Sequence, residues 1–311
     1  MKKGYWYIFF STILFSTMEI ALKLVTNDFH PIQLTLLRFL IGGLILFPLA
    51  FQNLKTRGVS LNAADFRYFA ITGLICVVIS MTFYQLAVLY SKASTVAILF
   101  SCNPAFVIPF AYLLLGEKIS KKTLLSLGLS ILGILWIVNP WKLANTSRGV
   151  IFTLLSAVTF ALYGVLGKAG SSRLGGVALS SFSFLMGSAE MLILILLTRI
   201  PRIAAYLSHS GLKLFAAVPV FSGLSWHNMI GLIYIGIFVT GLGYCFYFLA
   251  MQETSAATAS SVFFIKPALA PVLALIILHE SLAPNTIIGM VLIIAGSGIT
   301  FIANRKREAA G

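Results

Sequence analysis

Residues 266–280 read KPALAPVLALIILHE, and residues 103–117 read NPAFVIPFAYLLLGE. Each opens on a polar residue followed by proline, continues as apolar sequence and ends on a glutamate. Small-residue runs, KASTVA and TSAATASS, precede the two stretches, so that they read as apolar spans over 93–115 and 255–278. A helix of roughly 20 apolar residues crosses a hydrocarbon core of ~30 Å. Lys266 therefore sits near the middle of a span, where a charge is expensive and needs a partner or water.

The likeness of the two stretches extends outward. At an offset of 163, residues 83–117 match 246–280 at 12 of 35 positions, among them Phe83/Phe246, Tyr84/Tyr247, Thr95/Thr258, Phe100/Phe263, Pro104/Pro267 and Glu117/Glu280. Gly73/Gly236 and Gly133/Gly296 keep the same register. At an offset of 145, Gly4, Ser11, Phe15, Lys23, Phe39, Leu40 and Gly42 match Gly149, Ser156, Phe160, Lys168, Phe184, Leu185 and Gly187. Shared apolar composition would scatter such matches; it would not hold a proline, a glutamate and several glycines in register.

The whole chain carries the same message. Of 311 residues, 59% are hydrophobic and 10% charged. A soluble domain needs about a quarter of its residues charged, so the class is an all-α polytopic membrane protein. Ten spans are expected, at 5–25, 32–51, 67–90, 93–115, 121–139, 149–169, 175–198, 228–251, 255–278 and 284–303. The first is too long for a signal-peptide core and lacks a small-residue cleavage site. The long connection 199–227 contains LKLFAAVPVF, too short to span and expected at the membrane interface. Five spans per half is an odd number, so the second copy enters the membrane from the opposite face, as in inverted-repeat transporters. The expected layout is a first repeat over 1–139, a linker over 140–148, a second repeat over 149–303 and a basic tail over 304–311.

The net charge of +14 is spread over short loops, which suits topology determinants at a lipid surface better than nucleic-acid binding. With the N-terminus in the cytoplasm, 13 basic residues fall on the cytoplasmic side and seven outside, favouring both termini inside a cell membrane. Cys76, Cys102 and Cys245 lie in apolar runs without metal or redox spacing. No HExxH, paired-carboxylate or GxxxxGK[ST] motif points to an embedded enzyme or to ATP-driven transport, and nothing calls for a cofactor or a metal.

Five plus five spans, the paired proline–glutamate stretches and the small-residue runs before them resemble the drug/metabolite transporter superfamily, and within it the EamA-type branch. The resemblance covers residues 4–303. It implies a ten-helix carrier whose central cavity is built from helices 1–4 and 6–9, with helices 5 and 10 peripheral. Members export amino acids, other metabolites or drugs, or carry nucleotide sugars and phosphorylated sugars. One departure is that HE at 279–280 replaces the GE of 116–117.

The polar residues inside the spans are the candidate site. The repeat maps Lys266 onto Asn103, and both precede a proline, so Asn103-Pro104 and Lys266-Pro267 are expected to meet at the cavity centre as helix breaks. Lys266 then reads as a cavity cation awaiting an anionic group on the substrate. The alternative is a permanent pair with Glu19 or Glu190. Glu19 and Arg38 lie at matching depth on consecutive spans, ~10 Å below the same surface at 1.5 Å per residue. The plain reading pairs them; the sharper one makes Glu19 a protonatable coupling residue and Arg38 a gate or anion site, with Glu190 closing the layer. Tyr84, Tyr163 and Tyr247 are expected to line an amphipathic pocket, packing being the alternative for each. Glu117 and Glu280 read as caps on the start of the following helix. The expected activity is secondary transport, in the outward direction, of small metabolites such as amino acids or related amphipathic or anionic compounds. Lipid and substrate are the expected partners and protons a candidate coupling ion; an embedded enzyme or a scaffold is the alternative.

Overall fold

The computed structural model describes residues 2–116, 119, 121–138, 147–254, 259 and 262–308. Glu117, residues 140–146 of the expected linker and most of TSAATASS lie outside these. The regular structure among the described residues is helical throughout. In chain order the apolar helices are α1 (Lys3–Leu24), α2 (Pro31–Thr56), α3 (Ala63–Tyr90), α4 (Ala93–Leu115), α5 (Leu124–Ile137), α6 (Arg148–Leu174), α7 (Gly176–Thr198), α8 (Asn228–Glu253), α9 (Ile265–Ile277) and α10 (Pro284–Gly296). Seven are long and apolar enough to cross a membrane; α5, α9 and α10 are shorter. The last helix runs on as far as Glu308, so the basic segment expected as a tail is helical where it is described.

Helix starts are written in local chemistry. Pro31 opens α2, Ile32 donates its N–H to His30 Nδ1 at 3.3 Å, and the Gln33 side chain accepts the His30 N–H at 3.3 Å. Asn62 and Asp65 exchange the same pair of bonds ahead of α3, at 3.0 and 3.1 Å. The connection 199–227 contains a short helix, Pro201–His209, without a buried residue. Sequence alone did not foresee it. Gln33 ties the rest of that connection to the start of α2 by donating to the carbonyls of Val220 and Ser222 at 3.0 and 2.7 Å.

Four helices are interrupted. In α1 the helix breaks at Thr17, after hydroxyls of Thr12 and Ser16 bond back to carbonyls one turn earlier, a pattern that bends helices. In α4 a turn at Ser101–Cys102 separates Ala93–Phe100 from Asn103–Leu115, whose second residue is Pro104. In α3 and α8 the segments Leu74–Ser80 and Tyr234–Leu242 are wound as π-helix, a form that tends to occur at functional sites. Pro267 behaves differently from Pro104. The helix Val262–Ile277 continues through it and through Pro271, so the expected break at Pro267 does not occur. A missing N–H frees one carbonyl a turn earlier, which neighbouring helices accommodate.

α2 packs on α7, α4 on α9 and α5 on α10. α1 packs on α8 and α9, and α6 packs on α3 and α4. Ser11 on α1 donates to the Gly243 carbonyl of α8 at 3.0 Å, and Ser156 on α6 donates to the Ser80 carbonyl of α3 at 2.8 Å. Lys23 on α1 holds the Val88 carbonyl at 2.8 Å, and Lys168 on α6 holds the Met251 carbonyl at 2.9 Å. Glycine permits the closest approaches: a Cβ on Gly73 would stand 2.6 Å from the Gly187 nitrogen. The outer faces of the helices are apolar, with Leu113 72% and Ile276 63% exposed, as a lipid-facing surface requires.

Candidate functional site

The break in α1 places Glu19 in the first turn of its second segment, Met18–Leu24, fully buried. α9 brings Lys266 to it. The ammonium lies 2.6 Å from Glu19 Oε1, and both side chains are completely enclosed by protein. Tyr84, four residues past the π-helical segment of α3, donates its hydroxyl to the same Oε1 in a short hydrogen bond. Its phenolic oxygen lies 3.5 Å from Lys266 Nζ and accepts from it. The ammonium also stands 5.1 Å from the centre of the Phe100 ring and 5.7 Å from that of Tyr84. Three helices thus converge on one carboxylate oxygen, while Glu19 Oε2 has no partner among the described residues.

Such a pair sets a Coulomb attraction, large in a dry interior, against the desolvation of both ions. The balance is near even while the pair is intact. It becomes strongly unfavourable when either member is removed. A buried pair of this kind holds three helices together and is sensitive to anything that competes for one ion.

Arg38 is not part of it. The equal-depth pairing of Glu19 with Arg38 is therefore corrected: Glu19 is taken by Lys266 and Tyr84. Depth fixes only one coordinate, and α1 packs principally on α8 and α9. The Arg38 guanidinium is completely buried, with Nη1 3.7 Å from Met18 Sδ and its carbon 4.7 Å from the Phe39 ring centre. Its Nε and Nη2 have no partner among the described residues. Glu190 is half-buried and makes no ion pair among the described residues, so it does not close the layer.

Asn103, Tyr163 and Tyr247 are all buried. Asn103 donates to the Ala157 carbonyl of α6 at 2.9 Å, leaving its Oδ1 unpartnered among the described residues. The Tyr163 hydroxyl is likewise unpartnered there, with its ring 5.8 Å from that of Phe160. Tyr247 packs at 5.8 Å from Phe263 and 6.3 Å from Phe160. Glu280 is a cap, but not of the next helix. Its carboxylate accepts the N–H groups of Ala93 and Ser94 at 2.8 and 3.0 Å and the Ser94 hydroxyl at 2.6 Å, closing the start of α4. Glu117 lies outside the described residues.

Sequence reading missed Phe100, Met18 and Gln85. Phe100 stands in repeat register with Phe263, yet no local signal marks a ring as the neighbour of a cation. Gln85 follows Tyr84 in mid-span, and that position was the available signal. It is 1% exposed, with both amide atoms unpartnered among the described residues.

The family model for the EamA-like transporter family matches residues 2–139 and 147–302. A protein of Clostridium kluyveri called an uncharacterized transporter is 41% identical over 314 residues, covering 98% of this chain and 95% of that protein. An uncharacterized transporter of Archaeoglobus fulgidus is 26% identical over 312 residues, covering 99% of this chain and 100% of the other. A solved crystal structure superposes with a TM-score of 0.67 at 16% identity, covering 99% of each chain, which is a likeness of fold.

Proposed function

The chain belongs to the EamA-like transporter family and is a polytopic secondary transporter of small metabolites; on that premise we propose that the Glu19–Lys266–Tyr84 cluster is its coupling centre. Substrate contacts come from Lys266, Asn103, Tyr84, Tyr163 and Tyr247. The observation that carries this reading is the enclosed 2.6 Å ion pair between α1 and α9. An ion pair buried between helices that separate in alternating access is a switch. While Glu19 is ionised it holds Lys266 and draws α1, α3 and α9 together. A proton transferred to Glu19, or a substrate group that competes for Lys266, releases that hold.

The reading includes ten spans in two inverted five-helix repeats, 1–139 and 149–303, with 140–148 as linker and 304–311 as basic tail. The helix pairings support it, because exchanging the halves maps α1·α8 onto α6·α3 and α1·α9 onto α6·α4. The bonds Ser11–Gly243 and Ser156–Ser80 are related by the same two offsets, as are Lys23–Val88 and Lys168–Met251. The two π-helical segments also fall at overlapping repeat positions. Both termini lie in the cytoplasm on the count of basic residues, and transport runs outward. The substrates are amino acids or related amphipathic or anionic compounds.

The test is counterflow of labelled metabolites by the purified chain in proteoliposomes, with and without a pH gradient. Accumulation of unchanged label in the vesicles, lost in Glu19→Gln, supports the reading. Chemical conversion of the label would instead support an embedded enzyme. A rate indifferent to the pH gradient would leave exchange or facilitated diffusion and remove the proton from the mechanism.

A further inference from the structure

Arg38 is a completely buried cation whose charge no carboxylate meets within ion-pair distance among the described residues. Within electrostatic reach of it lie the side chains of Tyr244, Tyr84, Cys76 and Glu19. Glu19 is the one carboxylate among them, and Lys266 and Tyr84 already occupy its Oε1. Among the described residues, two cations and one carboxylate leave this enclosed region with one uncompensated positive charge. Nothing in packing requires that. A methionine or leucine would fill the same place without the desolvation of an ion.

The pattern of unpartnered atoms is specific. Nη1 is the nitrogen turned toward Met18, whereas Nε and Nη2 are free. In a guanidinium those two N–H groups lie side by side on one edge of the plane. That edge presents the parallel pair of donors that a carboxylate takes with both oxygens. The guanidinium carbon stands 4.7 Å from the centre of the Phe39 ring, and Phe39 is in mutual edge contact with Phe184 and Tyr244. Phe39 and Phe184 are 4.8 Å apart, Phe184 and Tyr244 5.1 Å, and Phe39 and Tyr244 5.8 Å. Thr240 lies against Gly42, one turn along α2 from Arg38, and its hydroxyl is unpartnered among the described residues.

The geometry points to Arg38 as the anion seat of the substrate site, and to a monocarboxylate with an apolar or aromatic body as the cargo. The carboxylate takes the Nε–Nη2 edge and cancels the single excess charge, while the body lies against the rings of Phe39, Phe184 and Tyr244. A dianion would leave the enclosed region negative and is selected against. This inference rests on the transport reading above, which supplies the opening through which a buried seat is reached; with the substrate's carboxylate on Arg38, it is the proton at Glu19, of the two releases offered there, that frees Lys266.

The test uses the purified full chain and four probes: 3-phenylpropionate, its neutral amide, the dianion phenylsuccinate, and radiolabelled 3-phenylpropionate for counterflow in proteoliposomes. At millimolar concentration 3-phenylpropionate is expected to raise the Tm of the wild-type protein, and the amide and phenylsuccinate are not. Arg38→Gln is expected to lose that shift, and Arg38→Lys to keep part of it, since lysine retains the charge without the two-pronged edge. Equal shifts from acid and amide, no shift from the acid, or an undiminished shift in Arg38→Gln would each overturn the seat. An equal shift from phenylsuccinate would overturn the single-charge selectivity. Should Arg38→Gln fold poorly, Arg38→Lys and the acid–amide comparison on wild type decide the matter. Counterflow separates the two readings. Acid bound through Arg38 but never moved keeps the seat and sinks transport; acid moved equally well by Arg38→Gln keeps transport and sinks the seat.

Discussion

Lys266 and Arg38 are buried to the same completeness and meet opposite surroundings. Lys266 has a carboxylate at 2.6 Å, a phenol and two aromatic rings. Arg38 has a thioether, one ring and an edge of two N–H groups without a partner among the described residues. The first arrangement is self-sufficient and the second is incomplete. Burial of a charge does not by itself tell structure from function; the state of its partners does. A satisfied ion stabilises the closed form, and an unsatisfied one lowers the stability of the empty protein in favour of a ligand.

Removing Lys266 should have the largest effect. Lys266→Met strands the Glu19 carboxylate and is expected to lower stability by ~3–5 kcal/mol, read in a denaturation experiment in detergent. An unchanged stability would break the comparison at its first term. The double variant Glu19→Gln/Lys266→Met, which strands nothing, should recover most of that loss while remaining inactive in counterflow. Strictly additive losses would show that the two side chains do not act as a pair.

Tyr84→Phe removes one hydrogen bond to a charged oxygen and is expected to lower stability by ~1.5–3 kcal/mol. A loss in the double variant Tyr84→Phe/Glu19→Gln no larger than in Glu19→Gln alone would confirm that the phenol acts through the carboxylate. The smallest effect has the opposite sign. Arg38→Met should raise the stability of the ligand-free protein by on the order of 1 kcal/mol, because an apolar side chain replaces an unpaired buried ion. A drop of several kcal/mol instead would place Arg38 with Lys266 among the ions whose removal strands a buried partner.

The legible part of the site was its inventory. Lys266, Glu19 and Arg38 announce themselves as charges within apolar spans, and the repeat singles out Tyr84 and Pro104. Depth along each helix was legible too, because rise per residue is constant. The pairing was not. Equal depth joined Glu19 to Arg38, yet α1 turns toward α9, and the break at Thr17 lies just before Glu19. Rotation about a helix axis depends on which helices it packs against, and apolar surface on every side leaves no polar face in the sequence to reveal that. The π-helical stretches in α3 and α8 were equally hidden, since their residues are ordinary apolar ones.

By itself the sequence determined the class and where along the chain the apolar helices fall. Hydropathy over ~20 residues is set by the bilayer and needs no knowledge of neighbours. It also determined that an ammonium and a guanidinium must be accommodated inside the membrane. Packing in three dimensions settles which cation receives the Glu19 carboxylate and which is left with an edge unpartnered among the described residues. That choice depends on the mutual rotation of α1, α2 and α9, which is fixed by packing among helices far apart in the chain and written in no local pattern.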